Sequence, residues 1–229
     1  MDKIRLTLLL FGMSLLSGCS DSIVEESMPL KTEPQLSRST DFDMTEYVVE
    51  LLTDNQTGWE VVFFAQSRSG SGLVFEESQF IPPNSMRYMG NGVIYYHIGE
   101  GNQWTDQLFF HEVFHVAQNG KNVQRLLTNE VEAYLAQYLY CEYLGKENKF
   151  STVDGYLTHN IVKLAQAIDH RTGFIKNEKL FKQYFSASLR ALELIPMYND
   201  GTWARGNAED YNLSTLEILL YGLYNAIWI

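Results

Sequence analysis

The feature that most constrains the fold is an apolar run over residues 104–118 with two histidines and a glutamate near its centre. Apolar residues at 108, 109, 113, 116 and 117 have helical spacing, so the run predicts an α-helix. Asn119-Gly120 follows, and glycine is typical of the position just past a helix end. Because the neighbours of the polar trio are uncharged, we expect this helix to lie in the core.

The polar trio, two histidines and one glutamate, lies in the segment His111-Glu112-Val113-Phe114-His115. Residues four apart on a helix lie one turn above each other on the same face, so both imidazoles can bind one metal ion. Glu112 projects beside them, where it can take a proton from a water that the metal activates. A buried structural histidine pair and a non-catalytic metal site remain the alternatives.

The trio resembles the HExxH motif of the zincin metallopeptidases. The resemblance implies that His111 and His115 bind Zn²⁺ as cofactor and that Glu112 is the catalytic general base. The metzincin subclass has glycine three residues and histidine six residues after the second histidine. This chain has Gln118 and Lys121 there, which excludes that subclass.

The gluzincin subclass takes its third zinc ligand, a glutamate, from a following helix. Residues 129–133 resemble that element, and Glu130 is followed three residues later by Ala133, as in several gluzincin groups. Glu132 is the alternative ligand, although Asn129 and Glu132 would also form a capping box, which favours Glu130. Three protein ligands would indicate an enzyme, whereas a fourth from Glu132 would indicate a structural site.

The N-terminus has the layout of a bacterial lipoprotein signal. A basic start is followed by an apolar stretch over residues 6–16, as in an export signal. The next segment, Leu16-Ser17-Gly18-Cys19, resembles a lipobox, so we expect residues 1–18 to be removed and Cys19 to be lipidated. An ordinary signal peptide is the alternative. Residues 19–40 are polar and predict a flexible tether. We therefore expect lipid anchoring to the outer membrane, facing the periplasm or the surface.

Residues 41–229 are expected to form one zincin-like metallopeptidase domain. The order of elements, a helix, then strands, then helices only, predicts an α+β fold. By resemblance, a small, mostly antiparallel sheet packs on the HExxH helix, and its strand 93–98 is the edge that pairs with a peptide substrate. The predicted helices are 43–52, 104–118, 130–144, 153–168, 178–194 and 214–227; the predicted strands are 59–65, 72–75, 87–89 and 93–98, the last two forming a hairpin.

Several other side chains with chemical potential are expected to be structural. His97 is expected to face solvent or a tyrosine rather than to donate a proton in catalysis. The others are two core aromatics, two surface histidines and a buried thiol: Tyr134, Tyr138, His159, His170 and Cys141.

The charge and the motif together narrow the function. A formal net charge of -11 argues against nucleic acid as a partner, because phosphate binding requires a basic surface. We expect a zinc-dependent metallopeptidase that hydrolyses peptide bonds of a peptide or protein substrate and contacts the membrane only through its lipid anchor. The alternative is a catalytically inactive zincin-fold envelope lipoprotein that acts as a binding module.

Overall fold

A computed structural model of the chain describes residues 43–99, 104–120, 122, 124–148, 155–207 and 211–226. The predicted signal peptide and the whole predicted tether, which includes Cys19, lie outside these residues. The fold is α+β, as predicted. Its elements in the described part are α1 (Met44–Thr53), α2 (Gln56–Ser69), β1 (Val74–Glu77), β2 (Ser85–Gly90), β3 (Val93–His97), α3 (Asp106–Asn119), α4 (Leu127–Tyr143), α5 (Gly155–Ala165), α6 (Glu178–Leu194), a 3₁₀ turn (Pro196–Tyr198) and α7 (Ser214–Ala226).

No helix within the described ranges has the length and apolar character that a membrane span requires. The longest helices, α4 and α6, have 17 residues each.

The strand predicted over residues 59–65 is wrong, because these residues lie within α2. Asn55 is the N-cap of this helix: its side chain accepts a hydrogen bond from the backbone N–H of Gly58 at 2.8 Å. The valine and phenylalanine content favours a strand locally, but packing selects the helix. The side chains that α2 buries have helical spacing: Thr57, Val61, Val62, Ala65 and Ser69.

The sheet has three strands in the order β1-β3-β2. β2 and β3 form the predicted antiparallel hairpin, in which Asn91 and Gly92 adopt positive φ angles of 52° and 78°. β1 pairs with β3 in parallel, so the prediction of a mostly antiparallel sheet is wrong for one of its two pairings. The prediction that strand 93–98 is an edge is also wrong, because β3 is central and β2 lies at the edge.

Helix α3 lies in the core, as its sequence predicts. Every residue from Gln107 to Ala117 is buried. Phe109 makes edge-to-face contacts with Phe75 of the sheet at 6.1 Å, and Phe110 stacks on Tyr140 of α4 at 4.3 Å between ring centroids. This packing places α3 among α1, α2, β2 and α4, so the side chains of the motif are held on a rigid element.

Helix α4 begins at Leu127, three residues before the predicted start. The N–H of Leu127 donates to the carbonyl of Ala204 at 2.9 Å, a contact with a distant segment. Leu126 is the N-cap and makes no side-chain capping bond. The predicted capping box of Asn129 and Glu132 is therefore wrong, and both side chains have other partners.

Candidate metal centre

Helices α3 and α4 bring three metal-binding side chains together. His111 and His115 lie one turn apart on α3, with their Nε2 atoms 3.1 Å from each other. Glu130, in the first turn of α4, places Oε1 3.2 Å from His115 Nε2 and Oε2 3.6 Å from His111 Nε2. All three side chains are buried, with exposures of 1%, 5% and 2%. They are close enough to bind one metal ion.

Two glutamines orient the histidine rings from outside this cluster. The Nδ1 atoms of His111 and His115 lie 3.1 Å and 2.8 Å from the amide oxygens of Gln137 and Gln118. The amide nitrogen of Gln118 donates to the carbonyl of Asn129 at 3.0 Å, which directs its oxygen towards His115. Each Nδ1 must therefore donate a proton to its glutamine, and each Nε2 faces the centre of the cluster.

The Nε2 atoms of the two histidines and the Glu130 carboxylate converge so closely that a positive charge is required between them. Burial alone would lower the pKa of His115, but the charge and hydrogen bond of Glu130, with a contribution from Glu112, raise it to about 9. Burial lowers the pKa of His111. Burial raises the pKa of Glu130, but its histidine partners outweigh this and lower it. The donor set of two imidazoles and one carboxylate fits a metal ion. The ion would replace the proton that these three groups share in the metal-free protein.

Glu112 lies beside the cluster but is not one of its three members. Its Oε2 accepts a hydrogen bond from the backbone N–H of Tyr88, on the edge strand β2, at 3.0 Å. Its Oε1 is buried and has no hydrogen-bond partner among the described residues. Burial raises the pKa of Glu112 to about 7, despite the opposing charge of His115. This carboxylate is thus held at one oxygen, while the other remains available to accept a proton.

Glu132 lies outside the cluster, although it is as deeply buried as Glu130. Its Oε1 accepts from the backbone N–H of Leu216 at 3.0 Å. Its Oε2 accepts from the hydroxyl of Tyr211 and from Gln118 Nε2, each at 2.8 Å. The structure therefore brings Glu130, and not Glu132, to the two histidines. Both carboxylate oxygens of Glu132 are occupied by these hydrogen bonds.

Two tyrosines that the sequence did not assign to the metal centre also contact it. Tyr198 donates to Glu130 Oε2 at 3.0 Å, and its hydroxyl lies 3.1 Å from that of Tyr134. The ring of Tyr134 lies 4.7 Å from the ring of His111. Tyr134 is buried, as predicted, but it also contacts the site. Its position four residues after Glu130 on one helix face was an available signal, whereas Tyr198 is distant in sequence and had none.

The remaining candidates have structural contacts. His97 lies on β3, half-buried, with its Nδ1 donating to the carbonyl of Ile81 at 2.7 Å. Tyr138 is half-buried on α4. His159 and His170 are exposed, as predicted, and Cys141 is a buried free thiol, as predicted.

Comparison with known proteins adds no relative: no protein-family model matches the chain, and no curated protein or solved structure matches it. The chemistry of the site therefore rests on its own geometry.

Proposed function

We propose that this chain is a zinc-dependent metallopeptidase. In this proposal His111, His115 and Glu130 bind zinc, and Glu112 is the general base. One observation supports it above the others: two imidazole Nε2 atoms and a buried carboxylate converge beside a second buried carboxylate, one oxygen of which has no partner in the part of the chain that the structure describes. This agrees with the resemblance of the motif to the zincins.

The donor set favours zinc among the biological cations. Calcium and magnesium prefer oxygen ligands only, whereas two imidazoles with one carboxylate are typical of catalytic zinc. Three protein ligands leave one coordination position for water or substrate, and a structural zinc site would have four. Glu132 was the candidate for a fourth ligand, and its oxygens are engaged by α7, Tyr211 and Gln118. The arrangement therefore favours catalysis over a structural role.

When bound, zinc would polarise the substrate carbonyl and make a water molecule more acidic. Glu112 accepts the proton of that water at Oε1 and later gives it to the leaving amine nitrogen. The backbone N–H of Tyr88 holds the other oxygen of Glu112 at 3.0 Å, so the carboxylate keeps its orientation during both transfers. Gln118 and Gln137 keep the Nδ1 protons of the two histidines in place, so that each Nε2 faces the metal position.

Substituting Glu112 and His111 separates metal binding from catalysis. We expect about one zinc per purified chain by mass spectrometry in the wild type and in Glu112→Gln, and loss of zinc in His111→Ala. The wild type should cleave members of a peptide library, and Glu112→Gln should not. Glu50→Gln, a change at an exposed carboxylate on α1, is the matched control and should keep full activity.

The outcomes also separate the alternatives. A Glu112→Gln variant that cleaves peptides at the wild-type rate would refute the proposed mechanism. Stoichiometric zinc without cleavage of any peptide would favour the inactive zincin-fold binding module. Absence of zinc after zinc is supplied would remove the metallopeptidase proposal.

The proposed location follows from the N-terminal pattern. Signal removal and lipidation at Cys19 would anchor the enzyme to the bacterial outer membrane, with residues 19–40 as a tether. Incorporation of labelled palmitate into the wild type, and its loss in Cys19→Ser, tests the anchor directly. Labelling that persists in Cys19→Ser would refute it.

A further inference from the structure

Buried Glu132 caps helix α7 from a different helix. Its Oε1 accepts from the backbone N–H of Leu216, the third residue of α7, at 3.0 Å. The first N–H groups of a helix have no partner within the helix, and a negative charge is favourable near them. Glu132 therefore supplies the acceptor that the first turn of α7 needs.

The other oxygen of Glu132 connects this cap to the metal centre. Oε2 accepts from Gln118 Nε2 at 2.8 Å, and Gln118 Oε1 accepts from His115 Nδ1 at 2.8 Å. The hydroxyl of Tyr211, just before α7, donates to the same Oε2 at 2.8 Å. An unbroken series of hydrogen bonds thus runs from the first turn of α7 through Glu132 and Gln118 to a ligand histidine.

We propose that Glu132 is a positioning residue that couples the seating of residues 211–226 to metal binding at His115. The inference rests on the proposed function, because His115 must be a metal ligand for it to hold. The Glu132 carboxylate and the Asn129 carbonyl only accept hydrogen bonds, so together they turn the amide nitrogen of Gln118 towards themselves and its oxygen towards His115. His115 then keeps its proton on Nδ1, and its Nε2 lone pair is directed to the metal.

The coupling must act in both directions. If a seated α7 favours the metal-binding arrangement of His115, metal binding favours a seated α7 by the same factor. Loss of a partner that orients a metal-binding histidine typically lowers metal affinity about 10–100-fold. We therefore expect zinc to slow the local opening of the first turn of α7 on the order of tenfold.

Hydrogen exchange of the Leu216 amide, with and without saturating zinc, tests the coupling. In the wild type we expect zinc to slow this exchange about tenfold. Gln118→Met interrupts the series but keeps Glu132 and His115. We expect it to bind zinc on the order of tenfold more weakly and to show no zinc-dependent change at Leu216. Gln183→Met, at an exposed position on α6, is the matched control and should behave as the wild type.

Glu132→Gln provides a second variant if Gln118→Met does not fold. Its amide group must direct a donor either at the Leu216 N–H or at the amide nitrogen of Gln118. We expect faster exchange at Leu216 without zinc and a zinc affinity lowered about tenfold. In the metal-free protein, ¹⁵N NMR should show a hydrogen-bonded proton on His115 Nδ1 in the wild type, and a changed signal at this nitrogen in either variant.

The results distinguish failure of this inference from failure of the proposed function. Wild-type protein that binds one zinc but shows unchanged exchange at Leu216 would overturn the coupling and leave the metal site intact. A zinc response retained in Gln118→Met would overturn it as well. Wild-type protein that binds no zinc would overturn both the metal site and the coupling.

Discussion

Removal of the metal should lower the thermal stability of the domain by a predictable amount. The proposed zinc ligands come from two helices, α3 and α4, that the unfolded chain does not hold together, so we expect zinc to bind almost exclusively to the folded state. At a free zinc concentration of 100 times Kd, binding adds about 2.7 kcal/mol to the free energy of unfolding. For a folded region of the size of residues 43–226, each kcal/mol raises Tm by about 2–4 °C, so we expect a rise of about 5–11 °C.

Differential scanning fluorimetry of protein stripped with EDTA, before and after zinc is restored, measures this shift. Glu112→Gln should show the full rise, because Glu112 is not a ligand. His111→Ala and Glu130→Gln should show little of it, since each loses a metal-binding atom from the cluster. The reasoning fails if zinc does not raise the Tm of the wild type, or if it raises the Tm of both ligand variants as much.

Two further predictions concern side chains near the metal centre and in the core. Tyr198→Phe removes the hydroxyl that donates to Glu130, so the zinc affinity of this variant should fall about tenfold in a competition titration. Tyr143→Phe, at an exposed position, is the control and should keep the wild-type affinity. Equal affinities of the two variants would contradict the role of Tyr198. Burial, reinforced by the charge of Asp106, raises the pKa of Cys141 from 9.0 to about 12, so the thiol should resist a thiol reagent at pH 9 until the protein unfolds. The thiol ionises at a lower pH in the unfolded chain than in the folded one. The stability that the protonated buried thiol contributes is therefore complete below pH 9 and falls as pH rises towards 12, which urea titrations at pH 8 and pH 10 would detect. Rapid labelling of the native protein at pH 9 would contradict the raised pKa.

The sequence allowed prediction of the elements whose signals are local. Helix α3 combines helical apolar spacing with Gly120 at its end, and β2 and β3 flank a turn that uses Asn91 and Gly92. Both features depend on residues close together in the chain. The two histidines of the motif belong to the same class, because one helix is enough to bring them together.

Predictions failed where distant contacts decide the structure. The residues around Val61 and Val62 favour a strand by composition, but both side chains are buried in the core as part of α2. The start of α4 depends on a backbone bond from Leu127 to Ala204, which no local pattern indicates. Tyr198 reaches Glu130 from a segment 68 residues away, so only the folded chain reveals it.

Glu130 and Glu132 illustrate how one helix turns two similar residues to different tasks. Residues two apart on an α-helix point about 200° away from each other. Glu130 therefore faces the imidazoles of α3, while Glu132 faces Gln118, Tyr211 and the first turn of α7. Both are buried, so burial does not separate a ligand from a structural residue; their partners do. Three donors supply the hydrogen bonds that the buried carboxylate of Glu132 requires. Glu130 instead faces two imidazole nitrogens, and a shared proton or a metal ion is needed between these nitrogens and its negative charge.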